Sequence, residues 1–389
     1  MTKLEKMVQE ICPNGVKTVE LIEVCDITKG IQFNKADMND QGSYPVINGG
    51  IGPSGYIEQY NQDNNKITIS QGGASAGFVN WITTKFWAGA HCYVLIPKDT
   101  VLNRYLYHFV KSKEYKLQEC QYGAGIPALA KSTVEKLYIP VPPLPVQREI
   151  VRILDNFTEL TAELTAELTA ELTARRKQYE YYRDVLLSSG ESTPQIVLRN
   201  VVKKSCSGAT PIKGNSEYYE NGTIPWIRTQ DVRFNEIYTV DSYITERAVE
   251  ETAAKWIPEN CVIVAISGAS AGRCAINKIK ATTNQHCLNM EIDDSKALYK
   301  YVYYCVTAQY EELLARKQGA RGDLNSSLIL GIKIPVPSLK EQARIVSILD
   351  RFDALCNDLT SGLPAEIEAR KKQYEYYRDK LLTFQEAKI

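Results

Sequence analysis

The sequence predicts an α+β chain. Two globular domains alternate with two long α-helices that pair as an antiparallel coiled coil, and the whole forms a pseudo-two-fold internal repeat. Three observations carry this reading. Thr158–Ala174 reads TELTAELTAELTAELTA, a four-residue unit of strong helix formers with Leu160, Leu164, Leu168 and Leu172 at i, i+4 and no Gly or Pro to interrupt it. Residues 140–187 (PVPPLPVQREIVRILDNF…RRKQYEYYRDVLL) recur as residues 335–382 (PVPSLKEQARIVSILDRF…RKKQYEYYRDKLL), displaced by 195 positions. The stretches before each copy hold short β-prone runs bounded by turn residues.

Four residues rotate by about 400° at 3.6 residues per turn, so the leucine row drifts about 40° per unit. A helix with one narrow apolar ridge needs a partner, and the second copy supplies it. Its Asp353–Ala369 segment, DALCNDLTSGLPAEIEA, keeps Leu355, Leu359, Leu363 and Ile367 at the four leucine positions plus 195. Two helices of matched length, each with one ridge, predict an antiparallel pair. Val146–Leu187, 42 residues, makes the first a rod of roughly 60 Å. The second contains Gly362 and Pro364, and an interior proline costs about 3 kcal/mol. Ser361 ahead of Leu363-Pro364 has the pattern of a cap with proline in the first turn, so this helix is expected to kink or restart there.

The first globule is expected over residues 1–139. Strands are predicted at Tyr44–Asn48, Lys66–Ser70, Phe78–Thr83 and His91–Ile96, followed by an amphipathic helix over Asn103–Gln118. The helical segment 140–190 comes next. The second globule, residues 191–334, repeats the first loosely before the C-terminal helix, 335–389. Ile69-Ser70 followed by Gly73-Ala-Ser-Ala-Gly77 matches Ile266-Ser267 followed by Gly268-Ala-Ser-Ala-Gly272; His91-Cys92 matches His286-Cys287, and Leu129 matches Leu324. Tyr44–Ile47 resembles Ile224–Ile227 at a displacement of only 180, so the second globule has gained about fifteen residues in between. The helical halves stayed alike while the globules diverged, as in a dimer-like scaffold that presents two different readers.

Composition narrows the function classes. The 389 residues are 44% hydrophobic and 24% charged, enough for two cores. The longest apolar run, around Cys261–Ile266, is too short to span a bilayer, and a cytoplasmic location is expected. Ten cysteines without a CxxC pair suggest neither a zinc knuckle nor a redox dithiol; they read as reduced, mostly buried thiols, with no metal. Lys and Arg balance Asp and Glu at 46 each, and no segment departs far from neutrality: residues 1–145 hold 14 basic and 13 acidic side chains, residues 191–340 hold 18 and 16. Charge alone therefore reveals no nucleic-acid footprint.

Gly-Ala-Ser-Ala-Gly occurs twice and fits the GxSxG nucleophile elbow, with His91 and His286 each 16 residues after Ser75 and Ser270. An elbow needs strand, sharp turn, then helix. Here Phe78–Ile82 and Arg273–Ile276 continue as strand, which leaves a plain hairpin turn or a Gly/Ser loop whose N–H and hydroxyl groups meet DNA phosphate. The loops Tyr122–Ser132 and Gln318–Ser327 sit equivalently before each helix. In them Lys131, Arg321 and Asn325 can bond base edges or phosphates, as can Arg228 and Gln230 after Trp226 and Arg273 beside the second Gly/Ser loop; a solvated connection is the alternative. His91 and His286 cannot share a metal with the adjacent cysteines, because neighbouring strand positions face opposite ways, so both are expected in buried structural roles. His108 is read as packing.

KQYEYYRD ends both helical segments, at 177–184 and 372–379. Tyr179, Tyr182 and Leu186 share one helix face, the core reading, while Tyr181 and Tyr376 project elsewhere and suggest a partner surface. There is no GxxxxGK[ST] loop and no Asn-Pro-Pro-Tyr/Phe motif, so neither an ATPase nor an amino-methyltransferase is supported.

The paired IPVPPLPVQREIVRILDNF and IPVPSLKEQARIVSILDRF, the two KQYEYYRD helices and the TAEL spacer together resemble the specificity subunit of type I restriction-modification enzymes, in the subclass with TAEL repeats. The resemblance implies a non-catalytic DNA reader without cofactor. Each globule would be a target-recognition domain for one half of a bipartite, asymmetric site, and the helix pair would set the half-site spacing. Two modification subunits, which methylate adenine, would dock near the helices, and motor-nuclease subunits would join them.

Overall fold

The computed structural model describes residues 2–39, 41–123, 125–188, 193–316, 323–357 and 362–387. The chain forms two compact units, Met1–Thr169 with Glu366–Ile389, and Ala170–Ala365. Both contain a globule and a share of the central helix Leu144–Leu187. The second helical segment is two helices, Leu339–Asn357 and Leu363–Leu381. The restart puts Pro364 in the first turn, where its missing N–H leaves no bond unmade. Ser361 and Leu359 lie outside the described residues.

In unit 1 the strands Cys25–Lys29, Cys92–Pro97, Lys66–Ser70 and Val79–Ile82 lie side by side, all antiparallel. A smaller sheet holds Tyr56–Ile57, Tyr44–Ile47 and Trp87–Ala88, the last parallel to its neighbour. The expected helix over Asn103–Gln118 is broken into Asn103–Ser112 and Glu114–Glu119. Unit 2 repeats this plan with Val202–Ser207, Cys287–Ile292, Val262–Ala265 and Cys274–Asn277, and beside them Tyr243–Ile244, Ile224–Ile227 and Thr282–Thr283. The extra residues of the second globule are accounted for. They form a fifth strand, Asn235–Ile237, added in parallel to Cys274–Asn277, and the helix Glu246–Glu251.

The internal repeat needs one correction in register. Gly77 N donates to Ser70 O and Gly272 N to Ala265 O, both at 2.8 Å, so Ser70 corresponds to Ala265. The likeness of Ile69-Ser70 to Ile266-Ser267 is therefore a coincidence, two residues out of phase.

Each helix is seated on its globule by the same contact. Gln147 and Gln342, 195 positions apart, are fully buried in the first turns of Leu144–Leu187 and Leu339–Asn357. Gln147 Oε1 accepts from Leu102 N (2.8 Å), and its Nε2 donates to Thr100 O (2.9 Å) and Pro142 O (2.7 Å). Gln342 repeats the pattern with Leu298 N (2.9 Å), Lys296 O (3.3 Å) and Pro337 O (2.9 Å). Tyr105 OH to Pro140 O (2.9 Å) and Tyr301 OH to Pro335 O (3.0 Å) clamp the proline-rich lead-in. Val146, Ile150 and Leu154 then enter the core of unit 1, and Ile345 and Leu349 that of unit 2.

Further along, each unit makes an antiparallel helix pair. In unit 1 Phe157 stacks on Tyr377 (5.9 Å, 6°), and Thr158 Oγ1 lies 3.0 Å from Tyr374 OH. In unit 2 Phe352 stacks on Tyr182 (5.7 Å, 27°). Phe352 and Tyr377 are Phe157 and Tyr182 plus 195, so one stack is built twice with the roles of the two helices exchanged. Leu164, Leu168 and Leu172 are half-buried, but Leu160 is 60% exposed and lies off the ridge. The drift per TAEL unit explains this, because Thr161 and Thr165 share the half-buried row with the leucines.

A carboxylate on each helix ties it to the globule's own helix. Asp155 Oδ1 lies 2.8 Å from both His108 Nε2 and Arg104 Nε; Asp350 accepts from Tyr304 OH (2.6 Å) and Lys300 Nζ (3.0 Å). His108 is 1% exposed, and burial holds its imidazole below the ordinary histidine range, opposed by its hydrogen bond to Asp155.

Both anchors can be tested by substitution. Gln342→Ala strands one buried N–H and two carbonyls, and should lower the unfolding free energy by roughly 2–4 kcal/mol in denaturant titration; a loss under 1 kcal/mol would mean the helix root is held by its apolar contacts alone. For His108, the unfolded chain takes up a proton near pH 6.5 and the folded chain only at lower pH. Its contribution is thus complete above about pH 6.5 and lost as pH falls below it. The melting temperature of the parent should drop more steeply between pH 7 and pH 5 than that of His108→Gln, and equal slopes would show that the ring is not kept neutral.

Candidate nucleic-acid interface

Four loops of unit 1 converge at one end of its sheets. The hairpin turn between Lys66–Ser70 and Val79–Ile82 uses Gly73 and Gly77 at φ +81° and +89°, a backbone that L side chains adopt at a cost. A side chain at Gly77 would also collide with the helix Glu114–Glu119, its Cβ falling 2.8 Å from Gln118 N. Gly73 N donates to Pro127 O (2.8 Å) and Leu129 N to Gln71 O (2.8 Å), which ties loop 122–129 to the turn. Ser70 Oγ donates to Gly50 O (3.2 Å), and His91 N to Asn48 Oδ1 (2.8 Å), which brings in loop 48–55 and the turn at His91. Ile51, Tyr122 and Ile126 stand exposed on this end.

Unit 2 uses the same backbone frame. Leu324 N donates to Ile266 O (2.8 Å), Ile266 N to His286 O (2.9 Å) and Arg273 N to Ser270 O (3.0 Å), each 195 positions from its unit 1 counterpart. Gly268 and Gly272 carry the positive φ values, +70° and +88°. In unit 2 a cleft of about 740 Å³ lies beside this frame, lined by Thr210, Lys213, Trp226, Arg228, Asp241 and Gln285 among others.

The sequence-derived residues divide accordingly. Ser75 and Ser270 sit half-buried in the two turns, and strand rather than helix comes after each, so the GxSxG pattern builds a hairpin and no nucleophile elbow. Arg273 leads from its turn into the strand Cys274–Asn277; Arg228 and Gln230 come after Ile224–Ile227, Arg228 lining the cleft and Gln230 exposed. Lys131 opens the short helix Lys131–Glu135, where Glu135 pairs with it at 3.2 Å. Asn325 is structural, since its Oδ1 accepts from Leu328 N (2.8 Å) and caps Ser326–Leu330. Arg321 lies outside the described residues.

His91 and His286 correct the sequence reading. Both are exposed in turns, and it is the adjacent Cys92 and Cys287 that are buried. Strand alternation places one of each pair inside, and the smaller thiol takes that position. His91 Nδ1 lies 3.2 Å from Gln71 Oε1 and His286 Nε2 lies 3.2 Å from Gln285 Nε2, so both rings belong to the loop surface. Burial pushes the Cys92 and Cys287 thiols up to about 12, which removes them as nucleophiles at neutral pH. Among the described residues no group of three or more His, Cys, Asp or Glu could hold a metal ion. At the helices Tyr181 and Tyr376 are 65% and 63% exposed, and each leans edge-on against the next tyrosine, Tyr182 or Tyr377.

Asn48, Gly89, Asn284 and Asp241 were not singled out in the sequence. The signal was present in the 180-residue displacement, which sets Asn48 against Arg228 while Gly89 meets Asn284 at 195.

Residues 13–174 and 197–369 each match the type I restriction modification DNA specificity domain. The specificity subunit of the type I restriction enzyme EcoR124I/EcoR124II of Escherichia coli is 35% identical over 408 aligned residues, covering 99% of this chain and 97% of that one. Among solved structures, a chain from a type I restriction-modification system studied for complex assembly and conformational transition superposes with a TM-score of 0.69 at 16% identity, covering 95% of this chain and 98% of that chain. The specificity subunit of Mycoplasma genitalium superposes at 0.52 and 20% identity, with 95% and 96% coverage. Matched twice along its length, and 35% identical to a relative across nearly the whole of both chains, the chain belongs to the type I restriction-modification DNA specificity family.

Proposed function

We propose that this chain is the sequence-reading subunit of a type I restriction-modification complex. Its two globules read different halves of a bipartite, asymmetric DNA site, and the paired helices set the number of unread base pairs between them. The observation that carries this reading is the pair of loop clusters: one hydrogen-bond frame, used twice, with different side chains mounted on it. Ser75, Ser270, Arg228, Gln230, Arg273 and Lys131 are the contacts we assign to DNA, some to phosphate and some to base edges. Identical readers would select a palindrome, as symmetric dimers do; these two differ by an added strand and an added helix.

Catalysis belongs to partner subunits. Two modification subunits dock at the helices, with Tyr181 and Tyr376 as exposed aromatic anchors at positions related by 195, and motor-nuclease subunits complete the complex. Partners supply much of the phosphate neutralisation, which fits a chain with 46 charges of either sign. We place the complex in the cytoplasm; no helix among the described residues is long and apolar enough to cross a membrane.

Exchange of residues 191–334 for the corresponding segment of a relative should alter one half of the methylated site and leave the other intact in genome-wide methylation mapping. Alteration of both halves would end the modular reading. The spacer gives a second test. Removing Thr161–Leu164 shortens the helix by about 6 Å and counter-rotates the remainder of the rod by roughly 40°. One base pair rises about 3.4 Å and twists roughly 35°. Rotation matches one pair and dominates, since a reader facing the wrong side of the duplex makes no base contacts, whereas 2–3 Å is absorbed by modest bending. The deletion should keep both half-sites and shorten the unread spacer by one pair. An unchanged spacer would reduce the TAEL helix to a tether.

A further inference from the structure

At one position the two globules solve the same structural problem with exchanged residues. Asn48 and Arg228 both come directly after the last residue of equivalent strands, Tyr44–Ile47 and Ile224–Ile227, which receive Gly89 N on Ile47 O (2.8 Å) and Asn284 N on Ile227 O (3.0 Å). In unit 1 the turn at His91 is held by Asn48, whose Oδ1 accepts from His91 N, and Gly89 leaves room for that side chain. A Cβ at Gly89 would fall 2.7 Å from Asn48 Oδ1. In unit 2 the turn is held by Asn284, standing where Gly89 stands: its Oδ1 accepts from His286 N at 3.1 Å. The supporting role has moved to the other strand, and the position of Asn48 is released from it. Arg228 occupies that position.

The side chain of Arg228 makes no hydrogen bond or ion pair in its place among the described residues. Nine other arginines lie within 4 Å of a carboxylate, Arg104 and Arg247 among them, and Arg228 is not one of them among the described residues. Its Nε is closed off from solvent and has no hydrogen-bond partner. The guanidinium rests 6.0 Å from the ring centroid of Trp226, at the wall of the cleft that also holds Asp241 and Gln285. Buried donors are nearly always paired, so an unpaired guanidinium edge beside an open cleft is waiting for an acceptor that the chain does not supply.

We propose that Arg228 reads a guanine, in one G·C pair of the half-site recognised by the second globule. This rests on the reading of that globule as a DNA reader. Guanine presents two acceptors, O6 and N7, that match two parallel N–H donors of arginine, and drawing the guanidinium off Trp226 toward them satisfies the edge left unpaired in the free chain. A phosphate matches the fork equally well, and Lys213 and Asp241, both on the cleft wall, offset one another, so charge alone does not choose between phosphate and guanine. The Asp241 carboxylate can accept from N4 of the cytosine opposite. A phosphate contact would also be expected in both globules, since both lie on the same backbone; the residue here differs between them, as a residue carrying sequence information must.

The test uses the assembled complex with its partner subunits and duplex oligonucleotides in which each base pair of the second half-site is replaced in turn. Arg228→Ala should lose preference for guanine at one position by roughly 5- to 150-fold in competition binding, leaving every other position as selective as before. Arg228→Lys keeps the charge without the fork and should show the same relaxation at that position. Two outcomes overturn the proposal: an unchanged sequence preference in Arg228→Ala, or a uniform weakening across all duplexes that Lys restores and that lowers the salt dependence by about one ion, the mark of a phosphate contact. Arg228→Met, which fills the same space over Trp226, must relax the same position if Ala unfolds the turn, and unaltered selectivity there also overturns it. Failure of the underlying reading looks different: the parent complex itself would then show no preference that tracks residues 191–334.

Discussion

The structure depends on a buried glutamine at the root of each helix. A globule mounted on a long helix keeps one orientation only if it cannot swivel, and an apolar contact alone permits sliding. Gln147 and Gln342 instead bond three backbone groups in fixed directions, so the azimuth of each helix is set by the loop ahead of Asn103–Ser112 or Tyr299–Ala308 and by the proline-rich lead-in. Neither a carboxylate, which cannot donate, nor asparagine, one methylene shorter, makes the same three bonds. The prolines ahead of each glutamine stiffen the lead-in by fixing φ, and Tyr105 and Tyr301 tie that lead-in to the globule from the other side.

From that root outward, conserved geometry and variable chemistry are kept apart. The loop frame consists almost wholly of main-chain bonds, Leu129 to Gln71 and Leu324 to Ile266, Phe78 to Ser75 and Arg273 to Ser270. Main-chain bonds do not depend on which side chains are mounted above them. The surface can therefore change while the turn positions stay put, and the exchange of Asn48 and Gly89 for Arg228 and Asn284 shows how even a supporting side chain can be relocated to free a surface position.

Much of this was legible in the sequence because it repeats. A 195-residue displacement over the helical segments announces two units, and Leu164, Leu168 and Leu172 announce a ridge; Leu160 and its counterpart Leu355 were misplaced on it and are exposed, because a four-residue period drifts around the helix. Loop chemistry was less legible. His91 and His286 look like core residues beside a cysteine, and the outward turn of the ring is a tertiary fact. Asn325 has the composition of a base contact and the geometry of a cap. The supporting role of Asn48 depends on a partner 43 residues away, a separation at which no periodicity reports.

Unit 1 is discontinuous. Its N-terminal stretch is completed by Glu366–Ile389, from which Leu381, Leu382 and Phe384 pack into its core, and Val16 N donates to Gln385 O (2.9 Å) while Ala387 N donates to Val16 O (3.2 Å). All of unit 2 lies between the two stretches. On the ribosome, which usually lets the N-terminal domain close first, the order is reversed: unit 2 is fully synthesised while unit 1 still lacks one of its helices. A chain interrupted within 366–387 thus lacks the helix and the backbone bonds to Val16 that belong to unit 1, while every residue of unit 2 is already made.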